Sequence, residues 1–260
     1  MAKVIAIANQ KGGVTKTTTT VNLGIGLANK GNRVLLIDAD PQGSLTASLG
    51  FGEPDQLEIT LPSLLTHIAQ DEEFDKEEGM LEHEEGVKLV PCNIELSAFE
   101  VSMTNMMRRE YILKDYIDKV KDDFDYVIID CMPSLGIITI NALTAADTVI
   151  VPVEATYLPV KGLEQLIRSI GAVKRHLNQS LGIEGILISK LDGRTKFSKE
   201  IIERMNEAYG QAINIFETKI PVSVRAAECP AVGISIFKHD PKGKVAEAYN
   251  NLVEEVLEDE

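Results

Sequence analysis

Short, nearly uninterrupted apolar runs alternate with longer stretches of helical periodicity along this chain. The first run is Val4-Ile5-Ala6-Ile7-Ala8, and a helical pattern carrying Val21, Leu23, Ile25, Leu27 and Ala28 follows it. The turn Gly31-Asn32 leads into a second run, Arg33-Val34-Leu35-Leu36-Ile37. Further runs are Val87-Lys88-Leu89-Val90-Pro91, Phe124-Asp125-Tyr126-Val127-Ile128-Ile129-Asp130, Thr148-Val149-Ile150-Val151-Pro152-Val153 and Gly185-Ile186-Leu187-Ile188-Ser189. Strands that are apolar throughout, rather than at every second position, are buried on both faces, as in parallel sheets covered by their crossover helices. Helices are expected over 95–120, around Asn141, over 162–177, after Ser198 and from Val245. The pattern therefore predicts an α/β fold: a doubly wound, mostly parallel sheet with helices on both faces. Right-handed crossovers would bring the C-terminal strand ends to one edge. No Gly/Ser/Pro linker or internal repeat interrupts the chain, so residues 1–260 are expected to form a single domain. The stretch 71–85, with nine carboxylates and one lysine, stands outside the alternation and reads as a solvated helix or a mobile insertion.

Composition narrows the function classes. An apolar content of 44% and a charged content of 25% are ordinary for a soluble domain of this size. No run approaches the roughly 20 apolar residues of a membrane helix. The chain enters its first strand directly, so neither a signal peptide nor a preceding helix-turn-helix is expected. Cys92, Cys131 and Cys229 are too widely spaced for a metal site and too few for a disulfide framework, which fits a reducing, cytoplasmic setting. The net charge of −14 argues against nucleic acid as an average, yet the window 190–244 holds 10 basic and 7 acidic residues. A local basic face on an acidic protein follows, with an effect confined to roughly 10 Å by screening.

The candidate chemistry starts between the first strand and the first helix, at Lys11-Gly12-Gly13-Val14-Thr15-Lys16-Thr17-Thr18. A buried strand, a glycine turn and a helix N-terminus converge free N–H groups on a bound phosphate. Lys16 would reach the outer phosphates and the Thr17 hydroxyl would coordinate Mg²⁺. Thr15 stands where the usual pattern has glycine. It is strained if the position needs φ > 0, and acceptable, even as a cap, if it lies in the first residues of the helix. The second reading is the favoured one. Asp38-Ala39-Asp40-Pro41-Gln42-Gly43 ends the second strand and Asp130 ends the fifth apolar run, so carboxylates lie beside the crevice of an open parallel sheet. Asp130 there would hold a water ligand of Mg²⁺ opposite Thr17.

The loop 11–18, with its additional Lys11, resembles the deviant Walker A loop, K-G-G-x-G-K-[ST], of the ParA/MinD family of P-loop ATPases. Asp38-x-Asp40-Pro41-Gln42 and Asp130-Cys131-Met132-Pro133-Ser134-Leu135 resemble its two switch segments, with Met132 in place of a proline expected to loosen the second. Leu191-Asp192-Gly193-Arg194-Thr195, Ile220-Pro221-Val222-Ser223-Val224-Arg225 and the run from Asp240 to Tyr249 resemble the chromosomal ParA (Soj) branch. The resemblance implies ATP and Mg²⁺ as ligands, with Lys11, Lys16 and Asp40 catalytic, and Thr17, Asp38 and Asp130 around the metal. It also implies an ATP-dependent homodimer in which Lys11 reaches the partner's nucleotide. Non-specific DNA would be bound through Arg194, Arg225, Lys242 and Lys244, with Val222 in place of a further arginine. A ParB-like centromere-binding protein would stimulate hydrolysis, and the ATP-bound form would sit on the nucleoid. A slow or non-hydrolysing nucleotide switch is the alternative that Thr15 and Met132 suggest. A MinD-like membrane role is disfavoured, because residues 245–260 hold six acidic residues and no lysine or arginine.

Overall fold

The computed structural model describes residues 2–154, 159–192 and 195–258. Its strands are β1 (Lys3–Ile7), β2 (Val34–Ala39), β3 (Leu81–Glu82), β4 (Val87–Val90), β5 (Tyr126–Cys131), β6 (Thr148–Glu154), β7 (Gly182–Leu191) and β8 (Ile215–Pro221). Among the described residues they form one sheet in the order β3-β4-β2-β5-β1-β6-β7-β8. Every neighbouring pair is parallel except β3 with β4. The helices are α1 (Lys16–Asn29), α2 (Ser44–Ser48), α3 (Leu61–Ala69), α4 (Glu95–Ser102), α5 (Ile112–Val120), α6 (Ile137–Ala145), α7 (Pro159–His176), α8 (Lys196–Tyr209), α9 (Val224–Val232), α10 (Ile236–His239) and α11 (Lys244–Glu258). From β1 the chain crosses to β2 on one side, and from β5 it passes over to β6 on the other. The C-terminal end of β1 is therefore the point where strand order reverses, where open α/β sheets hold ligands.

Strand side chains alternate between two cores. Val4, Ala6 and Ala8 pack with residues of α3, α5, α6 and α7, whereas Ile5 and Ile7 pack with α1 and α11. The expected helices on both faces are present. Helix α1 is pressed unusually close. A Cβ on Gly24 would lie 2.5 Å from Leu36 Cδ2, and one on Gly26 would lie 2.5 Å from Val253 Cγ2. Its two glycines let α1 sink between the sheet and α11, and that fixes the N-terminus at which the candidate loop ends.

The described structure departs from the helices expected over 95–120 and, as one reading, over 71–85. The helix expected over 95–120 is broken into α4 and α5, with a 3-10 turn at Met103–Asn105 and a left-handed Arg108 (φ 55°) between them. Buried Asn141 of α6 holds the break, donating to the Arg109 carbonyl (2.8 Å) and accepting from the Leu113 N–H (3.1 Å). Met103 is consequently core, while Met107 is 93% exposed. The acidic stretch 71–85 forms no helix and runs largely along the surface. It turns into β3, stacks Phe74 on Tyr116 at 5.8 Å and pairs Glu77 with Lys88 at 2.9 Å. At its far end Glu85 accepts from the Ser235 N–H (2.8 Å), Glu84 pairs with Lys238 (2.6 Å), and buried His83 meets the Gly233 carbonyl (3.0 Å).

Candidate nucleotide and metal site

The loop from β1 to α1 is a built turn. Gly13 (φ 75°) and Thr15 (φ 69°) are both left-handed, and α1 starts at Lys16. This corrects the favoured sequence reading of Thr15. The residue precedes the helix in a conformation that disfavours β-branched side chains, and its hydroxyl makes no cap. The hydroxyl instead donates to the Val14 carbonyl at 2.5 Å. The loop is anchored at its start, where Asn9 accepts from the Lys11 N–H (3.0 Å) and donates to the Pro152 carbonyl of β6 (2.7 Å).

The first-turn N–H groups of α1 have no partner within the helix. They border a cleft of 410 Å³ lined by Gly12, Gly13, Thr15, Lys16, Thr17 and Thr18, and closed by Asp40, Gln42, Ser44, Pro133 and Lys190. Lys16 is buried, and its Nζ lies 3.4 Å from the Lys11 carbonyl. Lys11 Nζ lies 3.1 Å from Glu154 Oε2 at the end of β6. The structure thus gathers Gly12, Gly13, Thr15, Lys16, Thr17, Thr18 and Asp40 around one space, while Val14 is buried and Lys11 turns to Glu154. Gln42 and Pro133 come from the two switch-like segments, whereas Ser44, Glu154 and Lys190 carried no expectation from sequence.

Two carboxylates lie below the cleft. Asp38 and Asp130 are register partners on β2 and β5, and both are buried. Asp130 accepts from Thr17 Oγ1 at 2.7 Å and from Thr20 Oγ1 at 3.3 Å. Burial pushes its carboxyl up to about 7, against the pull of the Thr17 hydrogen bond and the Lys16 charge. Asp38 accepts from the N–H (2.8 Å) and hydroxyl (2.8 Å) of Thr46 and from the Asp40 N–H (3.2 Å). Burial first, and the Asp130 charge second, push it up to about 8. Asp40 follows β2 and accepts from the Gln42 N–H at 2.9 Å. After β5, Met132 packs on the core, the Ser134 hydroxyl accepts from the Gly136 N–H at 3.2 Å, and Thr139 donates to the Ser134 carbonyl at 2.8 Å.

A second cleft of 520 Å³ adjoins the first, sharing Thr15, Thr18 and Lys190 with it. Its floor and walls are mainly apolar, from Ile220, Pro221, Val222, Ala226, Val245 and Tyr249. Beyond it, Arg225 on α9 is exposed and lies 3.3 Å from Glu228, which also meets His239 at 2.9 Å. Lys242 and Lys244 are exposed before and at the start of α11, and Arg194 lies outside the described residues.

Comparison with known proteins agrees with this geometry. The AAA domain family matches residues 2–183. The chain is 42% identical over 256 residues to the sporulation initiation inhibitor protein Soj of Bacillus subtilis, covering 98% of each chain. It is 38% identical over 257 residues to the chromosome partitioning protein ParA of Caulobacter vibrioides, covering 98% of this chain and 94% of that one. A crystal structure of cobyrinic acid a,c-diamide synthase from Mycobacterium smegmatis, with bound ATP analogue and magnesium, superposes with a TM-score of 0.87. That structure is 36% identical and covers 99% of this chain and 94% of its own. Together with the loop, the two buried strand-end carboxylates and the parallel sheet that presents them, these likenesses show that the chain belongs to the ParA/MinD family of deviant Walker A ATPases, on its ParA/Soj side.

Proposed function

We propose that the protein is an ATP-hydrolysing partition protein. It would act as a nucleotide-gated homodimer that binds DNA without reading its sequence and leaves it when a ParB-like partner stimulates hydrolysis. The observation that carries this reading is the 2.7 Å bond joining Thr17, at the start of α1, to Asp130, at the end of β5, beside buried Lys16. A helix N-terminus supplies the anion site and the hydroxyl–carboxylate pair supplies a cation site next to it.

The donor set fits magnesium. Asp38 and Asp130 are two buried carboxylates raised toward protonation, which is the signature of missing positive charge. Among the described residues no cluster of three His, Cys, Asp or Glu side chains could hold a metal by itself, so phosphate oxygens of the nucleotide would complete the shell. Bound there, Mg²⁺ would neutralise charge on the outer phosphates. Thr17 and Asp130 would hold it, and Asp38 behind them would tie the site to the segment 40–46 through Thr46 and the Asp40 N–H.

The remaining roles belong to the chain's own groups. Lys16 would leave the Lys11 carbonyl for the outer phosphates, and the N–H groups from Gly13 to Thr18 would cradle them. Asp40 would orient the attacking water and receive its proton. Lys11 would leave Glu154 to stabilise charge on the partner's nucleotide, a cation supplied in trans. The adjoining apolar cleft has the size and lining for the nucleoside. Arg225, Lys242 and Lys244, with Arg194, would meet DNA phosphates and make binding fall with salt. Such a protein would be cytoplasmic and nucleoid-associated while ATP is bound.

Two other readings fit less well. A membrane-bound, MinD-like role would need the apolar face of α11 free, yet Val245, Tyr249, Leu252, Val253 and Val256 are buried in the core against α1 and the sheet. A diamide synthase activity, as the name of the M. smegmatis protein has it, would find no reactive thiolate to work through. Cys92, Cys131 and Cys229 are all buried, and burial pushes each thiol up, Cys229 to about 11.

Sedimentation of wild type and Asp40→Ala, with and without Mg-ATP and a DNA fragment, tests the proposal. Asp40→Ala should form a stable dimer with Mg-ATP and co-sediment with DNA at low salt, and Arg225→Glu should weaken that association several-fold. A protein that stays monomeric with saturating Mg-ATP would refute the dimer, and a dimer indifferent to DNA at low salt would refute the basic face.

A further inference from the structure

Strand β7 ends in two side chains that reach the phosphate loop. Ser189, fully buried, donates its hydroxyl to the Val14 carbonyl at 3.2 Å, with the Val153 carbonyl at 3.4 Å. Lys190, next along, donates its ammonium to the Gly13 carbonyl at 2.7 Å. It does so from a left-handed backbone, φ 50°, which a residue with a Cβ adopts at a penalty on the order of tenfold in population. Lys190 also lines both the phosphate-loop cleft and the adjoining apolar cleft, and it bonds to the loop backbone from outside the loop.

The loop has a reason to need this contact. Gly13 and Thr15 are both left-handed, and Thr15 carries a β-branched side chain in a conformation suited to glycine. Three donors, from Lys190, Ser189 and Thr15 itself, fall on the two consecutive carbonyls of Gly13 and Val14. A trans peptide turns each N–H opposite to the carbonyl before it. Fixing the carbonyls of Gly13 and Val14 therefore fixes the directions of the Val14 and Thr15 N–H groups, which belong to the anion-binding run.

We infer that Lys190 is a positioning residue for the phosphate loop, holding the Gly13 carbonyl so that the loop keeps its anion-binding form although threonine occupies position 15. The inference rests on reading residues 11–18 as a phosphate site and adds a part that the loop's own sequence does not contain. Lys190 is exposed and 177 positions away from Gly13 in sequence, so its replacement disturbs little else.

A double-mutant cycle on the full chain tests it, with Mg-ADP affinity read by calorimetry. Lys190→Met should weaken binding by about tenfold, the scale of one charge-assisted hydrogen bond, and Lys190→Arg should restore it to within about threefold. In the Thr15→Gly background, where glycine takes the left-handed form unaided, Lys190→Met should cost less than about twofold. An equal loss in both backgrounds would overturn the inference, because a cation acting on the nucleotide itself is indifferent to position 15. Amide hydrogen exchange over residues 13–16 in the nucleotide-free protein reads the same clamp without any ligand. Exchange should rise in Lys190→Met and stay at the wild-type level in Lys190→Arg, and unchanged exchange in Lys190→Met would also overturn it. If wild type fails to bind Mg-ADP, the nucleotide reading falls while the exchange result still decides the clamp.

Discussion

Replacing Asp130 by asparagine should stabilise the metal-free protein, and more so as pH rises. In the fold Asp130 titrates near 7, while in the unfolded chain it returns to the ordinary aspartate value of about 3.9. The folded state therefore binds more protons between those values, so stability is greatest below the unfolded pKa and is lost as pH climbs through the folded one. At 1.36 kcal/mol per unit, the shift amounts to at most about 4 kcal/mol by pH 8, of which about a third is already present at pH 5. Relaxation and water entry reduce the remainder to about 2 kcal/mol. Asparagine keeps an acceptor for the Thr17 and Thr20 hydroxyls, which can also rotate to accept from its amide. The assay is urea unfolding in EDTA at pH 5, 6, 7 and 8, comparing variant with wild type. Carboxylates lowered by ion pairs, such as Asp125 at about 2 beside Arg33, change stability only at lower pH and cancel in the difference. The variant's advantage should grow by about 2 kcal/mol between pH 5 and 8. A difference that is flat with pH would refute the claim that a buried, uncompensated carboxylate strains this site.

Two further outcomes follow from contacts already described. A methyl group on Gly26 meets Val253 Cγ2 at 2.5 Å and Phe237 Cζ at 3.2 Å, so Gly26→Ala should destabilise by about 1–2 kcal/mol, overpacking exceeding the gain in helix propensity. A higher urea midpoint in that variant would show that α1 has room the packing denies it. Lys11 and Glu154 are both partly solvated, so their pair is worth about 0.5 kcal/mol. Two such pairs break per dimer, so Glu154→Gln should tighten the dimer formed in saturating Mg-ATP by about fivefold, measured from the concentration dependence of sedimentation, and less at high salt. A looser dimer would mean that Glu154 does something other than hold Lys11 at home.

The elements that carry the site were legible because the physics that makes them is local. Strands β1, β2 and β5 are buried on both faces and so appear as continuous apolar runs, and the residues after them declare a turn or a carboxylate. Strand β8 was not legible. It lies at the sheet edge, Glu217 and Lys219 interrupt its apolar residues, and Glu255 caps its Glu217 and Thr218 N–H groups from α11. The break at Arg108 carries no glycine or proline, and only the distant Asn141 explains it. The acidic stretch 71–85 looked unattached because its anchors, Gly233, Ser235 and Lys238, lie some 150 positions later. Thr15 was misjudged for the same kind of reason. A left-handed threonine is tolerable only when something outside the segment holds the turn.

That last point links the strained loop to the charges around it. Each loop-side lysine is engaged with an acceptor of the protein: Lys16 with the Lys11 carbonyl at 3.4 Å, Lys11 with Glu154 at 3.1 Å and Lys190 with the Gly13 carbonyl at 2.7 Å. The contacts differ in what a ligand must break. The Lys16 bond is long and weak, so an anion in the cleft frees it at little cost, consistent with Lys16 acting first on the nucleotide of its own subunit. The Lys11 pair carries a full opposite charge and yields only to a stronger anion, which a second nucleotide-bound subunit would bring. The Lys190 contact is the shortest and lies on a carbonyl that nucleotide has no reason to displace, so it persists through both events. On the proposed reading the three contacts would separate a lysine that binds, a lysine that waits for the partner and a lysine that holds the frame, although all three sit around one turn of chain.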